Sequence, residues 1–333
     1  MQLYYCTSFY KNFTQRKKED PQLNECKLSD EDISTLTNRF KVSYLGFHDQ
    51  KKQIYECVDD QVAIMFKGIS ESGGKNPYPK PIFKNTTDED NIELYLKRKM
   101  NIHDVQIFTP GDEISHPDGF KLKVQKSSID HPESGYGVFA YGSILPGTVV
   151  AFYPGTVYSP YDLTPEVIEG NEYMISRYDT IVIDGKRWAY EAETKAKTAV
   201  YMQHGTGVHI DQGVLSPYRN PFGIGQFINH PAPGDMPNVM PFTFDFPTSM
   251  PKELAPFIPN VWFKKPNFLY NRPGCLLPSV IFITTRRVED EELLFNYRYN
   301  PEHPYPDWFQ QPDLEEAQRR WKKPTLRSAF KNT

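Results

Sequence analysis

The sequence predicts a mainly β protein built of small folded sheets, with a helical N-terminal region and a C-terminal helix. Three observations support this fold class: short apolar stretches bounded by Gly and Pro fill the middle of the chain, 29 prolines favour loop-rich connections, and helical spacing of apolar residues occurs mainly near the two ends. We expect a mainly helical region over residues 1–115, a β domain over 116–300, and a closing segment with a basic helix over 301–333.

The N-terminal region begins its regular structure at a capping pattern. Ser29-Asp-Glu-Asp32 resembles a capping box and precedes apolar residues at helical spacing. A second helix is expected around Ile54 to Met65, a proline-rich linker over 71–81, and a third helix from Thr87 through Leu96. The region is open to two interpretations, structural support and partner binding, of which we favour support.

The β domain is predicted from short alternating or continuous apolar runs. Its expected strands lie near Phe120–Val124, Gly135–Phe139, Val149–Tyr153, Thr180–Ile183 and Val280–Thr284. Asp184-Gly185 is a hairpin signal at the end of one of them. Two insertions are expected: residues 186–221 are polar and lack a period, whereas residues 245–278 are rich in Pro and aromatics and should pack back onto the domain.

Composition excludes several classes of protein. A formal net charge of −4 gives no broad basic field, so nucleic-acid binding is not expected, although a basic end around Arg319 to Arg327 leaves that reading open. The chain lacks a signal-peptide pattern and any run of ~20 apolar residues, so we expect no membrane partner and an intracellular location, nuclear and/or cytoplasmic. The four cysteines are scattered without a CxxC pair, so no metal site is predicted.

Two distant segments carry the strongest functional signal. The stretch from Phe222 to His230 is predicted to be a short buried strand that ends in Asn229-His230, and the stretch from Glu291 to Tyr297 a second strand that ends in a phenol. Either segment alone is typical of ordinary packing. Their occurrence in this order, after the Gly135-Tyr136-Gly137 turn, is far more specific.

In these motifs the chain resembles the SET-domain family of S-adenosylmethionine-dependent protein lysine methyltransferases. The family pattern is Gly-x-Gly, then aromatic-Ile-Asn-His followed by Pro-Asn, then Gly-Glu-Glu-Leu-x-Phe-x-Tyr. Here these motifs are Gly135–Gly137, Phe227–His230 with Pro237-Asn238, and Glu291–Tyr297, and the resemblance covers roughly residues 118–310. It implies the SET fold, also called the β-clip, and S-adenosyl-L-methionine as cofactor.

The resemblance also implies roles for individual residues. Tyr297 is expected to be catalytic, with its hydroxyl oxygen orienting the substrate amine and the methyl group. The cofactor is expected to contact Gly135, Tyr136, Gly137, Phe227, Asn229, His230, Tyr297 and Trp308. The substrate channel is expected to be lined by Tyr153, Tyr299, Phe242 and Phe244.

Such a channel suits the chemistry. A free lysine amine has a pKa of about 10.4, so presenting it uncharged at neutral pH costs roughly 4 to 5 kcal/mol. Apolar, aromatic walls lower that pKa because they disfavour the charged form. The expected partner is a protein or peptide bearing lysine, histone or not, and a monomer is favoured.

The chain departs from the family pattern at several positions. Asp290 stands where Gly is usual, Gln226 where Arg is common, and Pro231-Ala232 where Ser-Cys follows Asn-His. The cysteine-rich cluster that closes many SET sites is replaced by a C-terminal aromatic and helix. The alternative to a methyltransferase is therefore a catalytically silent SET module that binds peptides or protein partners.

Overall fold

The computed structural model describes residues 29–40, 47–71, 113–186, 220–264, 273–312 and 314–321. Its helices are α1 (Asp30–Phe40), α2 (Phe47–Glu71), the one-turn α3 (Pro165–Ile168) and α4 (Leu314–Trp321). Its strands are β1 (Glu113–Ser115), β2 (Lys121–Lys126), β3 (Tyr136–Tyr141), β4 (Ser143–Ile144), β5 (Val149–Phe152), β6 (Gly155–Tyr158), β7 (Met174–Ser176), β8 (Val182–Asp184), β9 (Val239–Pro247), β10 (Asn260–Trp262), β11 (Cys275–Thr284), β12 (Val288–Glu289) and β13 (Glu292–Leu293). The prediction of a mainly β fold of small sheets is confirmed.

The strands form four small sheets instead of one large one. Their orders are β1-β2-β3-β13, β10-β6-β8-β7, β5-β11-β9 and β12-β4. Strand β13 joins the first sheet although its neighbour β3 lies far earlier in the sequence, with Glu292 opposite Phe139 and Leu293 opposite Val138. This long-range pairing brings the C-terminal motif to the Gly-x-Gly turn.

Helix α1 starts where the capping pattern predicts. The Ser29 hydroxyl accepts a hydrogen bond from the Asp32 backbone N–H at 3.0 Å, which satisfies one of the donors that a helix N-terminus leaves open. Helix α2 also has the predicted apolar stripe, and Ile54, Val58 and Met65 are all buried. The linker predicted over 71–81 begins at the last residue of α2, Glu71, and the rest of it, like the third helix from Thr87, lies outside the described residues.

The helices cover one face of the three-stranded sheet. Phe66 of α2 contacts Phe152 of β5 and Phe246 of β9, with ring centroids 5.6 and 5.4 Å apart. The same core continues into the β-sheets, so α1 and α2 share the core of the β domain. Strand β1 lies within the predicted N-terminal region and pairs with β2, so the first sheet extends into that region.

A polar network fixes the helices to the turn before β5. The Gln61 side chain accepts from the Val149 N–H at 3.0 Å and donates to the Gly147 carbonyl at 3.1 Å. Arg39 of α1 donates to Thr148 and to Gln61. These bonds fix the position of the helices along the sheet, in addition to the apolar contact between them.

Three predicted details differ from the structure. The segment from Phe222 to His230 is a 3₁₀ turn, Gly225–Phe227, followed by a single bridge between Asn229 and Leu294, and is not a strand. Likewise the strand expected from Glu291 to Tyr297 is only two residues long. A Cβ at Gly225 would lie 2.7 Å from the Phe152 carbonyl oxygen and 2.6 Å from the Phe282 ring, so this segment packs tightly against β5 and β11.

The hairpin expected at Asp184-Gly185 lies elsewhere. Both partners of β8, strands β6 and β7, precede it, and the turn that joins β7 to β8 is formed by residues 177–181. Gly185 has another reason to be glycine, because a Cβ there would lie 2.9 Å from the Tyr153 ring. In the described parts of the chain, no helix is both long and apolar enough to cross a bilayer.

Candidate active site

The two signal segments meet at a site that we call the motif crossing, formed by residues 227–230, 237–238 and 291–297. Asn229 and Leu294 form a parallel bridge, and the Phe295 N–H donates to the Asn229 carbonyl at 2.9 Å. The sequence predicts this meeting only through the resemblance, since no local pattern links segments so far apart.

The Asn238 side chain links two segments of the motif crossing by hydrogen bonds. Its side chain is fully buried, its Nδ2 donates to the Glu292 carbonyl at 2.7 Å, and its Oδ1 accepts from the Leu294 N–H at 2.7 Å. The amide therefore replaces the ladder that β13 lacks beyond Leu293. The Pro-Asn element of the motif is structural here.

Asn229 fixes the Gly-x-Gly turn. Its Nδ2 reaches the carbonyl oxygens of Ser134 and Tyr136, at 3.0 and 3.1 Å, and the Glu292 carboxylate at 3.2 Å. The two hydrogens of Nδ2 are thus shared among three acceptors. No hydrogen bond to Asn229 Oδ1 is formed within the described residues, so this oxygen remains an acceptor for a ligand.

The two glycines of the turn serve different purposes. Gly135 has φ +51°, in the left-handed region that favours glycine, and a Cβ there would meet open space. A Cβ on Gly137 would overlap the Glu292 carboxylate. Gly137 therefore makes room for a side chain of the protein, a reason that the resemblance does not suggest. The Tyr136 side chain is exposed, and it is its carbonyl that bonds to Asn229.

Tyr297 lies at the centre of a group of rings. Its hydroxyl donates to the Ile228 carbonyl at 3.4 Å, one residue from Asn229. Burial raises the pKa of Tyr297, and the Tyr299 and Tyr173 hydroxyls shift it in the same direction. The phenol is therefore neutral at physiological pH, so its oxygen can orient a partner but cannot act as a phenolate base.

Three further tyrosines surround Tyr297. Tyr299 contacts it edge-on, with ring centroids 6.1 Å apart. Burial raises the pKa of Tyr153, and the nearby Tyr297 hydroxyl shifts it further in the same direction. The Tyr153 hydroxyl donates a hydrogen bond to the Tyr173 carbonyl at 2.8 Å. Tyr173 was not predicted as a site residue, because it lies in an irregular segment just before β7 that shows no apolar period.

His230 connects Tyr297 to the closing segment, which we define as residues 305–312. Its Nδ1 accepts from the Tyr297 N–H at 3.3 Å, so Nε2 carries the proton and donates to the Gln310 carbonyl at 2.9 Å. Burial lowers the pKa of His230, which keeps the ring neutral. Both ring nitrogens are thus used within the protein, and the His230 side chain positions its neighbours.

Trp308 of the closing segment completes the ring group. The centroid of its ring lies 6.1 Å from the ring centroids of Tyr297 and Tyr299 and 6.2 Å from that of His230. Phe309 stacks on His230 at 4.2 Å. The Trp308 ring thus stands beside Tyr297, where the resemblance expects the cofactor.

Two of the predicted channel residues contact rings other than Tyr297. Phe242 contacts Tyr55 of α2 at 5.0 Å, and Phe244 contacts Phe246 at 5.1 Å. Neither ring contacts the Tyr297 ring among the described residues, and their place in a substrate channel stays a prediction. Phe227 is buried in the core, and its contact with the cofactor stays a prediction.

One departure from the family pattern has a local explanation. Asp290, which replaces the usual Gly, has φ +47°. Its Oδ1 accepts from the Gly142 N–H at 2.8 Å, which stabilises a conformation that aspartate tolerates better than most residues. The backbone geometry of the motif is therefore retained without glycine.

The fold and the motif crossing agree with the predicted resemblance to the SET-domain family: small sheets, a Gly-x-Gly turn held by Asn229, and a strand that leads to Tyr297 beside them. No protein-family model matches the chain. The chain is similar to SET domain-containing protein 9 of Homo sapiens, with 25% identity over 275 residues, which covers 81% of this chain and 83% of that protein.

A second relative gives the same result. SET domain-containing protein 9 of Pongo abelii is 25% identical over 274 residues, covering 81% of this chain and 90% of that protein. The predicted resemblance is confirmed, since the chain is similar along most of its length to SET domain-containing proteins.

A solved structure was also matched. It is ctPRC2 in an autoinhibited conformation bound to S-adenosylmethionine, with 16% sequence identity and a TM-score of 0.26. The match covers 60% of this chain and 16% of that chain.

Proposed function

We propose that this protein is an S-adenosylmethionine-dependent methyltransferase that transfers a methyl group to the ε-amine of lysine in a protein substrate. The observation that carries the proposal is the motif crossing, where the Tyr297 hydroxyl bonds to the Ile228 carbonyl and the next residue, Asn229, holds the Gly-x-Gly turn. Similarity to SET domain-containing protein 9 supports the class.

The residues present fit the cofactor. Asn229 Oδ1 is an acceptor beside the glycine turn, suited to the α-ammonium group of an amino acid. Two polar atoms of the closing segment, the Tyr305 hydroxyl and Gln311 Nε2, are buried without a hydrogen-bond partner among the described residues. Buried polar atoms are normally paired, so a ligand with polar ring edges that reached the closing segment would satisfy them.

S-adenosylmethionine, when bound, supplies a sulfonium-activated methyl group whose carbon–sulfur electron pair returns to sulfur as the lysine nitrogen attacks the carbon. The protein's part is to orient the amine and keep it uncharged. The neutral Tyr297 oxygen offers a lone pair for orientation, and the rings of Tyr299 and Trp308 provide apolar walls that disfavour an ammonium ion deprived of water. The proton lost by the amine leaves to solvent.

Tyr297→Phe tests the proposal. The variant keeps the ring and its contacts with Phe295 and Trp308 and removes only the oxygen. We expect methyl transfer to fall by ~100-fold, the range seen when one positioned polar group is removed from a reaction centre, while cofactor affinity changes little. The measurements are transfer of labelled methyl to lysine in lysate proteins and cofactor titration by calorimetry.

Tyr141→Phe is the matched control. The Tyr141 hydroxyl is exposed on β3 and bonds to Gln125 at 3.0 Å, so its loss should leave transfer unchanged. A wild-type protein that gives no heat of binding when it is titrated with the cofactor would contradict the proposal and favour the silent, partner-binding module. Equal activity in wild type and Tyr297→Phe would remove Tyr297 from catalysis.

A further inference from the structure

We infer that Glu292 is a positioning residue for the cofactor: its buried carboxylate holds Asn229 and the segment before the Gly-x-Gly turn in the geometry that cofactor binding needs. The inference deepens the proposed function and rests on it. The resemblance assigns no role to Glu292, and its side chain does not touch the Tyr297 ring group.

The carboxylate is the meeting point of three chain segments. Its Oε1 accepts from the Ser127 hydroxyl at 2.8 Å and from Asn229 Nδ2 at 3.2 Å. Its Oε2 accepts from the Ser128 N–H at 2.8 Å and from the Ser128 hydroxyl at 2.6 Å. One side chain on β13 therefore ties the end of β2 to the residue that fixes the turn before β3.

The carboxylate is held by neutral donors. Glu292 is only 5% exposed, and within the described parts of the chain it forms no ion pair with Lys, Arg or His. A buried carboxylate without a cation is costly unless its lone pairs are filled by hydrogen bonds, which the serine and asparagine donors do here. Loss of these bonds would release the segment they hold.

The space for the carboxylate is provided by Gly137. A Cβ at that position would overlap the Glu292 side chain. The second glycine of the Gly-x-Gly motif and Glu292 therefore form one packing unit. Because Asn229 bonds to the Tyr136 carbonyl between the two glycines, any shift of the carboxylate is passed directly to the turn.

Glu292→Gln removes this arrangement with almost no change in size. The glutamine amide can place its nitrogen at the Oε1 or the Oε2 position. At Oε1 the nitrogen faces the donor Asn229 Nδ2, and at Oε2 it faces the Ser128 N–H. Serine hydroxyls can turn and accept, but these two groups only donate, so either orientation sets donor against donor.

The experiment compares Glu292→Gln with wild type by amide hydrogen exchange and by cofactor titration. In the absence of cofactor, we expect exchange over residues 127–137 to be about tenfold faster in the variant, with exchange in β9 and β11 unchanged. The dissociation constant for S-adenosylmethionine should rise by at least about tenfold, as expected when hydrogen bonds to a charged group are lost.

Glu289→Gln is the matched control, because Glu289 is exposed on β12, outside the motif crossing, and accepts a hydrogen bond from the Ser143 hydroxyl at the surface. It should leave both readouts as in wild type. Should Glu292→Gln fail to fold, Ser128→Ala serves instead, since it removes the 2.6 Å bond from an exposed residue and spares the carboxylate. We expect it to shift both readouts in the same direction by a smaller factor.

The outcomes separate the two proposals. Wild-type exchange over residues 127–137 in Glu292→Gln, or faster exchange with unchanged cofactor affinity, would overturn the positioning role. Wild-type protein that binds no cofactor, with faster exchange in the variant, would instead overturn the proposed function. A purely structural role would lower the unfolding midpoint without the local change in exchange.

Discussion

The helical face and the motif crossing hold the same domain together by different physics. The helical face, formed by α1, α2 and the sheet β5-β11-β9, is joined mainly by buried rings such as Phe66, Phe152 and Phe246. The motif crossing is joined by side-chain amides and one carboxylate, with Asn229, Asn238 and Glu292 each bonding to backbone of a distant segment.

The difference matters for how each region tolerates change. Apolar packing is non-directional, so the helical face needs apolar side chains of suitable volume at helical spacing. Hydrogen bonds are directional, and a buried donor left unpaired costs the full desolvation of that group. The motif crossing therefore requires particular residues, whereas the helical face requires only apolar residues of suitable volume.

The largest expected effect on stability lies on the helical face. Phe66→Ala removes a fully buried ring from between β5 and β9, and we expect the free energy of unfolding to fall by about 3–5 kcal/mol through lost burial and a residual cavity. Urea unfolding measures the change. The cofactor affinity of the folded fraction should stay as in wild type.

Ile64→Ala on the same helix is the control, since Ile64 is 56% exposed and its truncation should change stability by less than about 0.5 kcal/mol. If Phe66→Ala weakened cofactor binding by the factor predicted for Glu292→Gln, the two regions would be coupled and the comparison above would fail.

A smaller effect is expected at His116, which stacks on Phe120 between the first sheet and β5. Its Nε2 donates to the Val149 carbonyl at 3.0 Å, while its Nδ1 accepts from the Asp118 N–H. Burial lowers the pKa of His116 to about 4, opposed by Asp118 and assisted by Arg39. The folded state thus favours the neutral ring.

This shift sets the sign of the pH dependence. Above pH 6.5 the ring is neutral in both the folded and the unfolded state, so it does not affect stability. As the pH falls from 6.5 to about 4, the unfolded chain binds a proton at His116 that the folded protein does not bind, so stability decreases. We expect about 3 kcal/mol of stability to be lost across that window. Urea unfolding at several pH values should show a flatter profile for His116→Gln, and a profile parallel to wild type would refute the assignment.

The smallest expected effect is at the cap of α1. Ser29→Ala removes the hydroxyl that accepts the Asp32 N–H, and the free energy of unfolding should fall by about 1 kcal/mol. Ser34→Ala, on the exposed side of the same helix, should be neutral or slightly stabilising because alanine is the better helix former. Equal losses in both variants would mean that the cap bond contributes nothing measurable.

Local patterns predicted the helical face well. The cap at Ser29 and the spacing from Ile54 to Met65 place α1 and α2, and alternation places β2, because each of these elements buries one face whose period is visible in the sequence. Phe242 and Phe244 were assigned to a channel from the family pattern, and the structure puts their rings against the helices and the core. An apolar ring on a strand reveals that it is buried but not what it is buried against.

The candidate site was predicted in part. Tyr297, Asn229, His230 and Trp308 were identified by motif order, and the structure brings them together. Tyr173, Glu292 and Ser127 were missed, since none has a local signal that separates it from an ordinary surface residue. A local sequence pattern can predict a helix cap, but no such pattern predicts a buried carboxylate, because its hydrogen-bond donors come from other parts of the chain.

The sequence by itself determined elements such as α1, α2 and β2, since helix caps and apolar periods act over a few residues. It also determined the order of the motifs that make the chain SET-like. Only the tertiary structure decided that Gly137 makes room for Glu292, that both nitrogens of His230 serve the protein, and that Asn238 replaces a missing ladder. These are contacts between segments tens of residues apart, and a directional bond is defined only once both of its partners have a position.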